Sequence, residues 1–544
     1  MKFLRCHSVL VITFSSAGVL RAAASSHALD SSTKSLKSTS EITTKQDNIS
    51  SSFAEDEQHK DPSVFVHIDE LSKFVATKKP SQVRDLQGIE CGGKMGLYSP
   101  DIIRSISSSL FGAMNEAGLE EAETVLNEIF PNIEFAVEVR KICASCKSEG
   151  LDNLDPYCGP SAYGYDVPHS GYVFLPVTVN DDGSTSIINA KKLQTWAAFR
   201  HISRSHADSV AYNTDLSSTI FNILAASQGL VAMNFDMTGY GESSSLVPSP
   251  LQRLSVGTAT LPIYHKVRSM IGEETRGKTK LNDRVSFYGY SEGGYNSIAA
   301  ADAFENSGMK VEHVYAGGAP IKTSSWLIMG LFRSMNENKT TIFHFLNAAL
   351  VALPVSSTRP GVANYMEGQD ALAGNRTVWL QMYTDDNSPS SWNYEASVNY
   401  NMEHYGEVVF LSNYFSDTLT ELFSNALDSN DTNPCASAIS DVNDKLCEAL
   451  VDQDLTNIVL NADYDIDLCH AVNDTLVVIE NVPEGFPVKH LIINADHYDA
   501  GMHCLVKMFS SADLEKPKMR KTKSWKSSKG LKSSKSSKSS KHSR

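Results

Sequence analysis

The stretch RVSFYGYSEGGYN, residues 284–296, holds Gly289-Tyr290-Ser291-Glu292-Gly293, a G-x-S-x-G pattern. Three fixed letters in five recur by chance, so the pattern takes its meaning from its flanks. Arg284 to Tyr288 is short and β-prone, and Tyr295 to Ala301 reads as the start of a helix. A serine between a strand and a helix must turn sharply, which lifts its hydroxyl clear of the sheet. Gly289 and Gly293 keep side chains out of that bend, and Tyr290 completes the elbow. The N–H of Glu292 opens the helix and points where an oxyanion would form. The competing reading is a serine in a glycine-rich bend; the flanks favour a nucleophile.

Working outward, strands and helices alternate. GYVFLPVTVNDDGSTSIINA reads as a hairpin about Asp181-Asp182-Gly183-Ser184. LQTWAAFRH is a strand, SSTIFNILAASQGLVAMNFD a helix and a buried strand, and SPLQRLSVGTATLPIYHKVRSMI a helix. GYNSIAAADAFEN is a further helix and VEHVYAGGAP a strand. Apolar strands alternating with helices imply an α/β fold, with a mostly parallel sheet covered on both faces. The alternation lapses over 321–455, where WLIMGLFRSMNEN, HFLNAALVALP and LTELFSNALDS are helical, and resumes over 456–515. The expected organisation is therefore a core of 161–320 and 456–515 with a helical cap or lid, 321–455, inserted between its parts. The apolar cap segments would line an acyl pocket, or else simply pack against one another.

A serine hydroxyl needs a base, and the base an orienting acid. In this architecture the chain order is serine, acid, histidine, each after a strand. Asp474 follows the apolar strand of DLCHAVNDTLV, and His497 follows the last strand in VKHLIINADHYDA. His503 is the alternative base, six residues on in AGMHC. Asp463, Asp465 and Asp467 are alternative acids, although they lie before or at the start of the strand rather than after it. Asp474 is also the middle of a glycosylation sequon, Asn473-Asp474-Thr475; a glycan there would crowd an acid of the site, so Asn473 is expected to stay unmodified. A second oxyanion N–H is expected at Ile202 or Ser203, where AAFRHIS leaves an earlier strand. His201 precedes the serine in the chain and reads as a loop residue rather than the base.

The motifs RHIS, NFDMTGYGES, GYSEGG, HAVNDTLV and DHYDA, in that order over about 165–510, resemble the α/β-hydrolase superfamily. The branch they are most similar to is the secretory lipase-like and carboxylesterase one. The family usually has His-Gly at the first oxyanion position, where this chain has His201-Ile202. The resemblance implies a serine hydrolase of carboxylic esters working through an acyl-enzyme, with no metal and no cofactor. A serine peptidase would carry the same triad and elbow, so it stands as the enzymatic alternative.

The rest of the chain concerns location. MKFLRCHSVLVITFSSAGVLRAAASS has a basic start, a short apolar run and a small-residue site, the order of a secretory signal over 1–24. Residues 25–62 form a Ser/Thr/Lys-rich segment with little to bury, read as a disordered linker. Residues 63–160 are read as an N-terminal extension, helical and disulfide-tied, with SPDIIRSISSSLFGAMNEAG and GLEEAETVLNEIFPNIEFAVEVRKICASC as its helices. Of the 9 cysteines, Cys6 goes with the signal. The others fall into two sets, Cys91, Cys143, Cys146 and Cys158, then Cys435, Cys447, Cys469 and Cys504, with pairing expected within each set. Cys143-Ala-Ser-Cys146 could instead be redox-active or half a zinc site, but no second CxxC accompanies it.

Sequons begin at Asn48, Asn338, Asn375, Asn430 and Asn473, which makes a glycoprotein an expectation. The formal charge is −15, yet 516–544 carries twelve Lys and Arg and no acid; subtracting those leaves −27 for the rest. This disordered basic tail, with Lys-Ser-Ser repeats, resembles silaffin-like tracts. It would hold the protein to silica, acidic polysaccharide or an anionic surface, at a cell wall or outside the cell. On that view a catalytically reduced matrix protein is the non-enzymatic alternative. An export signal argues against nucleic acid as the tail's partner.

Overall fold

The computed structural model describes residues 90–116, 133–199, 216–246, 249–326, 329–330, 333, 417–435, 445–493 and 495–511. The expected signal, linker and tail lie outside the described residues, as does most of the expected cap.

Ten strands form one sheet: β1 (Lys94–Tyr98), β2 (Ala136–Ala144), β3 (His169–Val179), β4 (Thr185–Ile187), β5 (Lys192–Phe199), β6 (Val231–Phe235), β7 (Lys280–Tyr290), β8 (Lys310–Gly317), β9 (Asp465–Ala471) and β10 (Val488–Ile492). Their order is β1-β2-β3-β6-β5-β7-β8-β9-β10, with β4 paired to β3. From β6 through β10 every neighbouring pair is parallel, whereas β1, β2, β3 and β4 pair antiparallel. The expected hairpin is the β3–β4 pair, closed by Gly183 at φ 79°.

The described helices are α1 (Pro100–Glu116), α2 (Leu216–Ser227), α3 (Arg253–Glu274), α4 (Glu292–Asn306), α5 (Asp417–Ser429), α6 (Lys445–Asp452), α7 (Thr456–Asn461) and α8 (His497–Ser511). They cover the sheet on two sides. Tyr264 and Ile263 of α3 and Ile298 and Phe304 of α4 share one core with Val285 and Phe287. Ile103 and Ile106 of α1, Phe221 of α2 and Phe509 of α8 share the other with Trp196 and Tyr288. The ring of Phe509 sits 5.1 Å from Trp196 and 4.7 Å from Phe221. Burying such a ring contributes about 1.5–3 kcal/mol, so the far end of α8 is firmly fixed to the sheet.

One expected helix is corrected. The N-terminal segment does contain a helix, α1, and disulfides Cys91–Cys143 and Cys146–Cys158 tie it. Its second expected helix, however, runs into Ala136–Ala144, a strand paired along its whole length with β3. Ile133, Phe135, Val137 and Val139 alternate with period two, and the β-branched residues favour a pleated neighbour over a free helical surface. The later cysteines also pair within their set, Cys435–Cys447 and Cys469–Cys504. Both sulfurs of the CxxC are therefore used structurally, each in a separate bridge.

Candidate active site

Ser291 stands between β7 and α4 at φ 58°, ψ −125°, a conformation that L-residues rarely hold. The bend survives because its neighbours leave room. A Cβ on Gly289 would lie 2.2 Å from the carbonyl oxygen of Gly293, and one on Gly294 would lie 2.7 Å from that of Gly317. Gly294, which the pattern does not mark, is thus as constrained as Gly289. The N–H of Ser291 donates to Gly317 O at 2.8 Å, which fixes the elbow to the end of β8. Gly294 and Tyr295 donate back to Ser291 O, so the N–H groups of Glu292 and Gly293 have no intrahelical acceptor.

Two further strand ends converge on this serine. The loop after β9 carries Asp474, 4% exposed, and the first residue of α8 is His497, 3% exposed. His497 Nε2 lies 2.8 Å from Ser291 Oγ, and its Nδ1 lies 2.6 Å from Asp474 Oδ2. The other carboxylate oxygen accepts the N–H groups of Leu476 at 3.0 Å and Val477 at 2.7 Å. A carboxylate buried this deeply persists because all of these donors replace water. With Nδ1–H given to the carboxylate, Nε2 is free to take the serine proton, and the imidazolium so formed faces a negative charge.

A strand–turn–helix serine elbow, an acid after the next-to-last strand and a histidine after the last now sit on one mostly parallel sheet. The chain has the α/β-hydrolase fold. Ser291 follows β7, Asp474 follows β9 and His497 follows β10.

Of the other expected residues, His503 lies two turns along α8, with its pKa lowered by burial and by Lys507; the hydrogen bonds to Ser291 and Asp474 run through His497. Asp467 is bound within the sheet, 2.5 Å from Lys489 Nζ and 3.1 Å from His313 Nε2. Asp236 is buried against the Ser170 hydroxyl, which also accepts the N–H of Glu242 at 3.1 Å. Ile202, Ser203 and His201 lie outside the described residues. Among the described residues, the metal-type side chains that cluster are Cys91, Cys143 and Glu242, and the two sulfurs there are bonded to each other.

Three side chains beside the site make contacts that the sequence patterns do not record. Tyr290 donates its hydroxyl to the backbone oxygen of His497, and its ring lies 5.2 Å from the imidazole. A Cβ on Gly318 or Gly501 would come within 2.9 or 3.2 Å of that ring, so glycines on β8's exit and on α8 admit it. His470 is buried with Nδ1 3.0 Å from Ala471 O. Burial lowers its pKa against the pull of Asp474, which favours the neutral imidazole.

The third neighbour is the side chain of Glu292, 6% exposed, whose pKa burial pushes up to about 8 while Asn296 opposes in part. Its charge would face Tyr240, whose hydroxyl burial and Glu292 both shift upward. A group with a raised folded pKa contributes stability that is complete below its unfolded value of 4.5 and is lost as pH rises through about 8. Glu292→Gln, which copies the neutral form, is therefore expected to gain on the native protein across that window. The upper bound is on the order of 5 kcal/mol. Urea unfolding of both proteins from pH 4 to 9 measures it; parallel curves would mean that Glu292 ionises freely.

No protein-family model and no curated protein sequence matches the chain. Among solved structures it is similar to the rice cell wall degrading esterase LipA from Xanthomonas oryzae. Identity there is 14%, over 78% of this chain and 96% of that one, with a TM-score of 0.49. An acylaminoacyl peptidase from Pyrococcus horikoshii is similar at 11% identity, over 73% of this chain and 44% of that one, with a TM-score of 0.33. Likeness at this level carries no activity across.

Proposed function

We propose that the protein is an exported serine hydrolase that cleaves carboxylic esters. The reading rests chiefly on the unbroken chain from Ser291 Oγ through His497 to Asp474, at 2.8 and 2.6 Å, on an elbow held at positive φ. Ser291 Oγ attacks the ester carbonyl carbon as its proton passes to His497 Nε2. The tetrahedral oxyanion is held by the N–H of Glu292 and a second donor from Ile202 or Ser203. His497 returns the proton to the departing alcohol, leaving an acyl-serine. Water, deprotonated by His497, then attacks the acyl carbon, and the acid departs as Ser291 regains its proton.

The four disulfides support export into an oxidising compartment. The basic tail, 516–544, serves on this reading as an address for an anionic surface, separate from the chemistry.

The test is hydrolysis of p-nitrophenyl esters from short to long acyl chains beside the matching anilides. A fluorophosphonate label, located by peptide mass spectrometry, accompanies it. Ester turnover well above anilide turnover, with the label on Ser291, is the expected result. A panel in which anilides are favoured would make the protein a peptidase, and an unlabelled Ser291 with no turnover would leave a matrix protein.

A further inference from the structure

The sequon Asn473-Asp474-Thr475 places a glycosylation signal across the carboxylate of the site, and the structure separates the two neighbours. Asp474 turns inward to His497 and to the N–H groups of Leu476 and Val477. Asn473, one residue earlier in the turn that leaves β9, is exposed. A sugar on Asn473 therefore extends into solvent and leaves the buried carboxylate untouched.

The surroundings of Asn473 also give a sugar something to cover. β10 ends the strand order of the sheet. Along it the exposed positions alternate, and Leu491 and Ile493 are 51% and 70% exposed. The N–H of Val472 donates to Ile492 O at 2.9 Å, carrying the β9–β10 ladder past the strand ends. Val472, 41% exposed, and Ile493 consequently emerge together, directly beside Asn473. An apolar edge of this kind is a template for edge-to-edge pairing, which proteins block by covering it. The nearby Lys489 is drawn to Asp467 at 2.5 Å.

We infer that Asn473 carries an N-linked glycan and that this glycan shields the apolar end of β10, keeping the sheet edge from self-association. The inference rests on the export proposed above.

The full chain, secreted from a eukaryotic host, is digested and its glycopeptides are mapped. Asn473→Gln is compared with the native protein by size-exclusion chromatography with light scattering. Occupancy at Asn473 is expected, with unchanged turnover per molecule in Asn473→Gln but a shift to earlier elution. That shift should be reversed by adding Leu491→Lys and Ile493→Lys. Glycan at Asn430, which is also exposed, with none at Asn473 would overturn the assignment while sparing export. Absence of every glycan together with free thiols would instead sink the export reading and this inference with it. Occupancy with identical elution of both proteins would overturn the shielding.

Discussion

Asp474→Asn is expected to lower kcat for ester hydrolysis about 10⁴-fold while the protein stays folded. The size of the effect follows from the two jobs of this side chain. Oδ1 accepts from Leu476 and Val477, and Oδ2 meets His497 Nδ1. An asparagine has one acceptor oxygen and one NH₂, so it cannot repeat both. Keeping the oxygen towards the loop N–H groups turns the NH₂ towards Nδ1. The imidazole must then carry its proton on Nε2, the nitrogen that faces Ser291 and should receive a proton. The geometry survives and the tautomer is wrong. Ser291→Ala removes the proposed nucleophile and should cost about 10⁶, with Asp474→Asn adding little on top if the groups act as a unit. Steady-state kinetics on the three variants, with circular dichroism as the check on folding, decides it. Independent, multiplying losses would mean that the two residues do not share one proton path.

Those positions were legible in the sequence because each is fixed by its place after a strand, and strand order along the chain is a one-dimensional property. Ser291 sits in a pattern whose glycines are forced by backbone contact; Asp474 and His497 each follow an apolar run. What surrounds them was less legible. Buried Glu292 interacts with Asn296 and with Tyr240, the latter in a loop some fifty residues upstream, and no local pattern records that approach. The anchoring of His497 by the Tyr290 hydroxyl joins residues 207 apart in the chain. The strand at Ala136–Ala144 was obscured for a different reason. Glu134, Glu138 and Arg140 interrupt its apolar residues at spacings that also suit a helix, and the choice between periods is made by β3. Even its charges turned out to be sheet features, since Glu138 is gripped by Lys94 at 2.6 Å and Arg140 at 2.5 Å.

Removing the Cys469–Cys504 bridge should damage stability and turnover together, unlike removal of Cys435–Cys447. Cys469 lies on β9 just before the Asp474 loop, and Cys504 lies on α8 two turns after His497. The bond thus clamps the strand that leads to Asp474 to the helix that begins at His497. It closes a loop of 35 residues, for which chain entropy alone gives about 4 kcal/mol. Cys435–Cys447 closes one of 12, worth about 3 kcal/mol, and joins the start of α6 to the segment after α5. Cys469→Ala/Cys504→Ala therefore ought to lower unfolding free energy by about 4 kcal/mol and kcat by about tenfold. KM should change little, because the bridge joins the elements that carry Asp474 and His497. The loss of turnover stays partial because α8 keeps two other holds. Phe509 remains packed on Trp196 and Phe221, and the Tyr290 hydroxyl still holds the His497 carbonyl. Adding Tyr290→Phe to the double alanine variant removes one of those holds and should deepen the kcat loss beyond the product of the separate effects. Denaturant unfolding and steady-state kinetics on the two double variants and the triple variant make the comparison. Equal kcat losses from the two bridges would assign both to global stability and leave the clamp without a role in positioning His497.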